Sequence, residues 1–254
     1  MDFPQIDVPL PQSMVMSEDL AEMEGLRGSK SDPSDVSQGI RIRAIRQEAL
    51  RLGAQTGLSK RYNTIMEYMG SVEPKLNVVF SFSGFVREGR LLVPSIIEVD
   101  NRMSFEPETG KATEVQKAYT VDEEARVVTS IPTWRDYLFQ VYSLPQPPHE
   151  SLLPRNEEES AAWKAALRDG WTAGVYQADM VYQDRMNDLT KAVAGRHLYR
   201  TLEDKEMISP AALQVVANKV TFNGRTMNVG EIIYSVGNHA NYLQADSWKP
   251  VWTR

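Results

Sequence analysis

Small and apolar residues recur at three- and four-residue steps from Ser37 to Met69. Ile42, Ile45, Ala49, Leu52, Thr56, Tyr62, Met66 and Met69 mark one face, which is the signature of an amphipathic helix. The pattern predicts a helix over about 37–69, ended by Gly70 and Pro74. A longer pattern begins after Asn156, an N-cap candidate followed by Glu157, Glu158 and Glu159, acids placed where the helix dipole favours them. Trp163, Leu167, Trp171, Val175, Ala178, Tyr182, Met186, Leu189 and Val193 mark its face. Glycines interrupt both helices: Gly53 and Gly57 in the first, Gly170 and Gly174 (with Ala178) in the second. Glycine in a helix interior costs ~1 kcal/mol against alanine, so these positions need a compensating reason. Close backbone approach supplies one, and the two small-residue ridges are expected to meet. Gly174→Leu should then overpack the contact, with Gly174→Ala milder or even stabilising.

Between the helices the period falls toward two. NVVFSF, RLLVPSIIEV and ARVVTSI are short β-rich runs separated by turn signals at Arg87–Arg90 and Pro107–Gly110, and SFEPETGKATEV reads as a hairpin. The run near Asn77 to Phe82 fits strand or helix. A short helix is expected over Trp134–Val141 with Thr133 as its N-cap; prolines at 145, 147, 148 and 154 then hold the chain extended. After the second helix, Asn223–Gly224 stands between two alternating runs, a two-residue hairpin signal. The fold class expected is α+β: two long amphipathic helices packed together, antiparallel β-hairpins and a short proline-rich connector. Pro4, Pro9, Pro11, Pro33 and the GSKSDPSD stretch make residues 1–37 a flexible N-terminal tether, leaving 38–254 as a single domain.

The net charge of −6 comes without a clustered Lys/Arg face, since Arg41, Arg43, Arg46 and Arg51 are diluted by Glu48 and apolar neighbours. A general nucleic-acid binder is therefore not expected. The absence of cysteine excludes disulfides and thiolate metal sites. The longest uncharged apolar stretch, Leu76 to Val86, falls short of the ~20 residues of a bilayer-spanning helix. The opening MDFPQIDVPLPQSMVMSEDL has neither a basic n-region nor an apolar h-region and does not read as a signal peptide.

Chemistry-bearing patterns are scarce. His149, His197 and His239 lack metal-ligand spacing, and there is no GxSxG elbow, Walker loop or GxGxxG after a strand. Ser83–Gly84 in FSFSGF lacks the first glycine of a nucleophile elbow. The adjacent acids at Asp122–Glu124, Glu157–Glu159 and Glu203–Glu206 lie at helix starts or turns, where carboxylates are usually solvated; a glycosidase needs two facing each other across a cleft. The expectation is a non-enzymatic scaffold without catalytic residues, cofactor or metal. Trp134, Arg135 and Tyr137 of the connector, with Trp248 and Trp252 of the tail, are candidates for a protein interface, because restrained aromatics and arginine lose little entropy on association. The same residues also fit a core role, with Arg135 paired to a local acid such as Asp136.

Several longer motifs occur in order: GAQTGL within Ile45–Arg61, PTWRDYL at 132–138, LLP at 152–154, Trp163, GWTAGVYQA at 170–178, HLYRTL at 197–202 and MISP at 207–210. With them the chain resembles the DotC family, called TraI in conjugative plasmids, over roughly Gln38 to Trp252. Ile131 and Ala211 stand where prolines are common in that family. The resemblance implies a structural subunit of the outer-membrane core complex of a type IVB secretion (Dot/Icm) or conjugation system. It implies a lipoprotein on the periplasmic face of the bacterial outer membrane, anchored through an acylated N-terminal cysteine that the present sequence does not contain. It further implies a homo-oligomeric ring assembling with DotD-like and DotH-like proteins. The competing readings are a periplasmic cell-wall hydrolase, favoured by two adjacent carboxylates in a cleft, and a ligand-binding module, favoured by a deep apolar pocket.

Overall fold

The computed structural model describes residues 18–28 and 35–249, and is α+β. Five α-helices occur among them: α1 Glu18–Glu24, α2 Asp35–Ser71, α3 Glu73–Val79, α4 Trp134–Leu138 and α5 Glu157–Asp204. The chain divides into two compact units, one built from residues up to Lys75 with Leu138–Met186, the other from Leu76–Tyr137 and the chain from Asn187 onward. Most of the tether expected over 1–37 lies outside the described residues; within it, α1 is helical and buries Leu20.

In the first unit, α2 and the N-terminal part of α5 pack so closely that their glycines decide the contact. A Cβ on Gly53 would collide with the Leu167 carbonyl and lie 2.9 Å from the Trp171 backbone nitrogen. One on Gly57 would lie 2.5 Å from the Trp171 carbonyl oxygen. Reciprocally, Gly170 faces the Leu50 carbonyl and Gly174 the Ala54 carbonyl, so each ridge sits against the partner helix's backbone, as the spacing predicted. Ile45, Ala49, Leu52, Trp163, Ala166, Leu167 and Trp171 fill the space beside this seam, and Leu20 of α1 joins them.

The start of α5 falls where Asn156 predicted it. Its Oδ1 accepts from the Glu159 N–H at 2.8 Å, satisfying one of the helix's orphan donors. Glu159 is itself buried and accepts from the Arg155 N–H (2.8 Å) and from Arg41 Nε (2.9 Å). Asn156→Ala should cost about 1 kcal/mol, read as a lowered thermal midpoint.

One buried charge in this unit was not foreseen, and one buried hydroxyl lies on the face that periodicity marked. The Arg61 guanidinium is buried and donates to Asp179 Oδ1 at 2.7 Å. The Tyr62 hydroxyl donates to the Leu138 carbonyl at 2.7 Å, with the Tyr142 ring edge-on at 5.0 Å. Burial and the neighbouring Tyr142 push that hydroxyl up to about 12, even with Arg185 nearby.

The segment carrying α1 is held by the Trp163 indole N–H donating to the Met23 carbonyl (2.9 Å) and by Arg168 Nε donating to Glu24 (2.5 Å). The Arg168 hydrogen bond holds the Glu24 carboxyl below its usual range, against the opposing effect of burial. A depressed carboxylate stabilises the fold above its unfolded pKa and loses that contribution as pH falls through its folded value. Amide protection factors in 18–28, referred to the intrinsic exchange rate at each pH, are therefore expected to fall on acidification through and below the carboxylate range. Protection in this segment that does not change with pH would contradict it.

The start of the ambiguous run near Asn77 resolves as the end of helix α3, with Pro74 in its first turn, where a missing N–H costs little; the second unit begins within this helix, at Leu76. Three short antiparallel strands, β1 Val86–Arg87, β2 Leu91–Leu92 and β5 Arg126–Val127, form a small sheet of order β1-β2-β5. Leu91, Leu92 and Val93 are buried there. Gly195 of α5 is pressed against the chain at Ser95–Ile96 so tightly that a Cβ would collide with Ser95 Oγ and lie 2.9 Å from the Ile96 carbonyl oxygen.

Two long hairpins complete the unit: β3 Ser95–Glu106 with β4 Lys111–Glu123, and β6 Ala212–Asn223 with β7 Thr226–Asn238. Each forms a two-stranded sheet of its own. The first turns at Pro107–Gly110, as expected. The second turns on Gly224–Arg225, one residue later than the Asn-Gly reading placed it, with Gly224 at φ +58 in the leading position. A turn with glycine first also matches the strand twist, so the sequence signal was right and its register off by one.

Candidate functional site

The PTWRDYL segment builds a small cluster rather than a surface loop. The Thr133 N–H donates to Asp136 Oδ2 at 2.6 Å and the Asp136 N–H to the Thr133 carbonyl at 3.1 Å, closing the first turn of α4. The helix is shorter than expected, ending at Leu138. Asp136 thus caps the turn, while the Arg135 guanidinium lies over the Trp134 ring at 4.4 Å. Trp134 is only 4% exposed, and its indole N–H donates to Asn77 Oδ1 at 2.8 Å. The structure places this indole in the core of its unit, and leaves Arg135 and Tyr137 half-buried.

Tyr137 stacks on Phe82 with ring centroids 5.6 Å apart, and burial pushes its hydroxyl up. The fully buried Arg196 lies over Phe82 at 5.5 Å and donates to Glu123 Oε2 (2.5 Å) and the Ala192 carbonyl (2.7 Å). Phe85 meets His197 edge-on at 4.7 Å; burial, then Arg200, lowers the imidazole pKa. These contacts join α4, residues 82–85 and the C-terminal part of α5 into one aromatic–arginine cluster.

Of the tail candidates, Trp252 lies outside the described residues. Trp248 is 44% exposed, and its indole N–H donates to the Leu243 carbonyl at 3.0 Å. With Tyr119, Leu202, Met207 and Tyr242 it lines an apolar recess of about 180 Å³. The recess holds no carboxylate or histidine.

Several of the acidic groups singled out by sequence are paired with basic side chains. Asp122 meets Lys191 at 2.9 Å, Glu124 meets His239 at 3.2 Å, Glu159 meets Arg41, and Glu203 meets Arg87. His149 accepts from the Ser151 N–H at 3.2 Å. Among the described residues, no group of three or more His, Cys, Asp or Glu could hold a metal, and no helix is long and apolar enough to cross a membrane.

Sequence reasoning missed the exposed apolar surface of the hairpins. Met103 (73%), Phe105 (65%), Phe222 (76%) and Val229 (71%) are among the most exposed apolar side chains. Burial confined to the bases, at Ser95 and Ile96 in the first hairpin, leaves the outer strands as arms. Alternation in the sequence was the available signal, but it is read by default as a half-buried strand.

A family model described as type IV secretory system, conjugal DNA-protein transfer, matches residues 39–250. No curated protein matches the chain.

Proposed function

The chain belongs to the type IV secretory system, conjugal DNA-protein transfer family, and from that premise we propose that it is a non-catalytic structural subunit of the machine's outer-membrane core complex. In this reading it works at the periplasmic face of the outer membrane, lipid-anchored in the full-length protein. It assembles there, as a homo-oligomer, with DotD-like and DotH-like subunits.

One observation carries the reading: the motifs that define the resemblance fall on packing devices. Gly53, Gly57, Gly170 and Gly174 are the close-approach points of two helices, and Trp134 and Tyr137 hold a core cluster. Asp122, Glu123, Glu159 and Glu203 are engaged in ion pairs that tie elements together. A chain whose distinctive residues shape its fold is suited to a structural role.

The test is to tag the full-length protein in its host, fractionate the envelope, and identify co-purifying proteins by mass spectrometry. The expected result is recovery in the outer-membrane fraction with DotD-like and DotH-like subunits, and loss of conjugal or effector transfer on deletion. Recovery in another fraction without those subunits would overturn the proposal.

A further inference from the structure

The recess beside Trp248 lies within the second unit. Tyr119 reaches it from β4, Leu202 from the end of α5, and Met207, Tyr242 and Trp248 from the chain that follows. The wall on the Trp248 side is pinned. The Leu243 N–H donates to the Met207 carbonyl and the Ser209 N–H to the Asn241 carbonyl, so residues 241–243 run antiparallel to 207–209. The Trp248 indole N–H is spent on the Leu243 carbonyl, which fixes the ring. Leu202 is buried, yet Tyr242 and Trp248 stay 47% and 44% exposed. Aromatic rings half in water around an apolar recess make an unfinished contact, because apolar surface left in water costs free energy.

Size, reach and charge indicate what completes it. An apolar cavity of ~150 Å³ takes a benzene-sized ring, so a recess of about 180 Å³ has room for one aromatic side chain. Past Trp248 the sequence KPVWTR supplies a single aromatic, Trp252. The chain leaves the recess already tied down: the Lys249 N–H donates to the Lys205 carbonyl at 2.9 Å, and its Nζ meets Glu206 at 2.8 Å. From that anchor the three steps to Trp252 span at most about 11 Å of backbone. Pro250 has its own φ fixed and biases Lys249 toward extended backbone, so little freedom remains to be lost when the indole docks. Charge agrees, since residues 249–254 carry Lys249 and Arg254 and no acid, while Glu206 and Asp204 stand at the anchor. A side chain so tethered meets the recess at a roughly millimolar effective concentration, an advantage that no separate molecule has.

We propose that Trp252 seats in this recess, folding residues 250–252 back against Tyr242, Trp248 and the end of α5. The lining offers the incoming indole N–H the hydroxyl oxygens of Tyr119 and Tyr242 as acceptors. Trp248 and Trp252 then complete one another as a clasp within the chain, instead of reaching a partner as two free anchors. Both members belong to one chain, so the inference holds or fails apart from the envelope reading.

Fluorine NMR of the whole chain, labelled with fluorotryptophan, reads the contact directly. The five tryptophans give five resonances, and Trp248→Phe and Trp252→Ala assign the two of interest. The expected result is a Trp252 resonance displaced from that of free fluorotryptophan, with loss of its solvent isotope shift, and unchanged on dilution. Trp252→Ala should also displace the Trp248 resonance while leaving those of Trp134, Trp163 and Trp171 in place. Tyr242→Ala, which cuts away a half-exposed wall, should return Trp252 to the free position. A Trp252 resonance at the free position in the unmodified chain overturns the proposal. So does a displacement that fades on dilution, which would hand the recess to a second copy. A displaced Trp252 that Tyr242→Ala leaves unmoved, or a Trp248 resonance indifferent to Trp252→Ala, puts the indole elsewhere and equally overturns it. Should Tyr242→Ala fail to fold, the response of Trp248 to Trp252→Ala decides.

Discussion

Gly174→Ala should lower the stability of the chain by about 3 kcal/mol, at the upper end of the overpacking range. In an ordinary exposed helix the same change would stabilise by up to ~1 kcal/mol, because alanine is the better helix former. Here the added carbon would collide with the Ala54 carbonyl and lie 2.8 Å from the Leu58 nitrogen. Both are backbone atoms of α2, and neither can swing away as a side-chain tip would. The helices must separate, and separation loosens the packing of Leu52, Trp163, Leu167 and Trp171 along the seam. This reverses the sequence-based expectation that alanine would be tolerated at this position. Gly70→Ala is the control, since a Cβ there meets nothing within 4 Å and the change should be neutral or stabilising. Thermal unfolding should separate the two by sign, with a fall of roughly 6–12 °C for Gly174→Ala at 2–4 °C per kcal/mol. An unchanged or raised midpoint for Gly174→Ala would mean that the helices do not approach as closely as described.

The helix pair was legible because glycine in a helix carries a known cost, and two such costs four residues apart in each helix have one economical explanation. Gly195 escaped the same logic because it stands alone and its partner, Ser95–Ile96, is a strand rather than a second glycine ridge. Arg61 and Arg196 were illegible for a different reason. Periodicity assigns a charged residue to the solvent face, and nothing local announces that Asp179 or Glu123 will meet it in the interior. The hairpins were legible as strands but not as arms, since Val99, Met103 and Phe105 alternate just as they would over a core. Which side of that alternation is covered depends on tertiary contacts far along the chain, or on another molecule. The PTWRDYL motif was likewise compatible with surface and interior until Asn77 was placed beside Trp134.

Trp134→Ala should cost on the order of 3–5 kcal/mol, the range for truncating a buried aromatic. The indole is almost wholly enclosed, so its removal leaves a cavity that the short helix α4 cannot fill by moving without breaking the Thr133–Asp136 turn. It also takes away the donor to Asn77 and the ring beneath Arg135. Trp134→Phe keeps most of the apolar surface and gives up one hydrogen bond whose acceptor side chain is exposed to water, so a loss near 1 kcal/mol is expected. The two variants together distinguish packing from recognition. If Trp134 acts through the core, thermal midpoints should fall in the order wild type, Trp134→Phe, Trp134→Ala, and incorporation into the envelope complex should follow stability. Arg135→Ala completes the comparison, since it removes a cation–π contact worth about 0.5–1 kcal/mol at a half-buried site. If Arg135→Ala keeps its midpoint and loses the complex, the partner reads the arginine that Trp134 positions. If Trp134→Ala keeps its midpoint, the core role assigned to the indole is wrong, because no repacking of so enclosed a ring could be free.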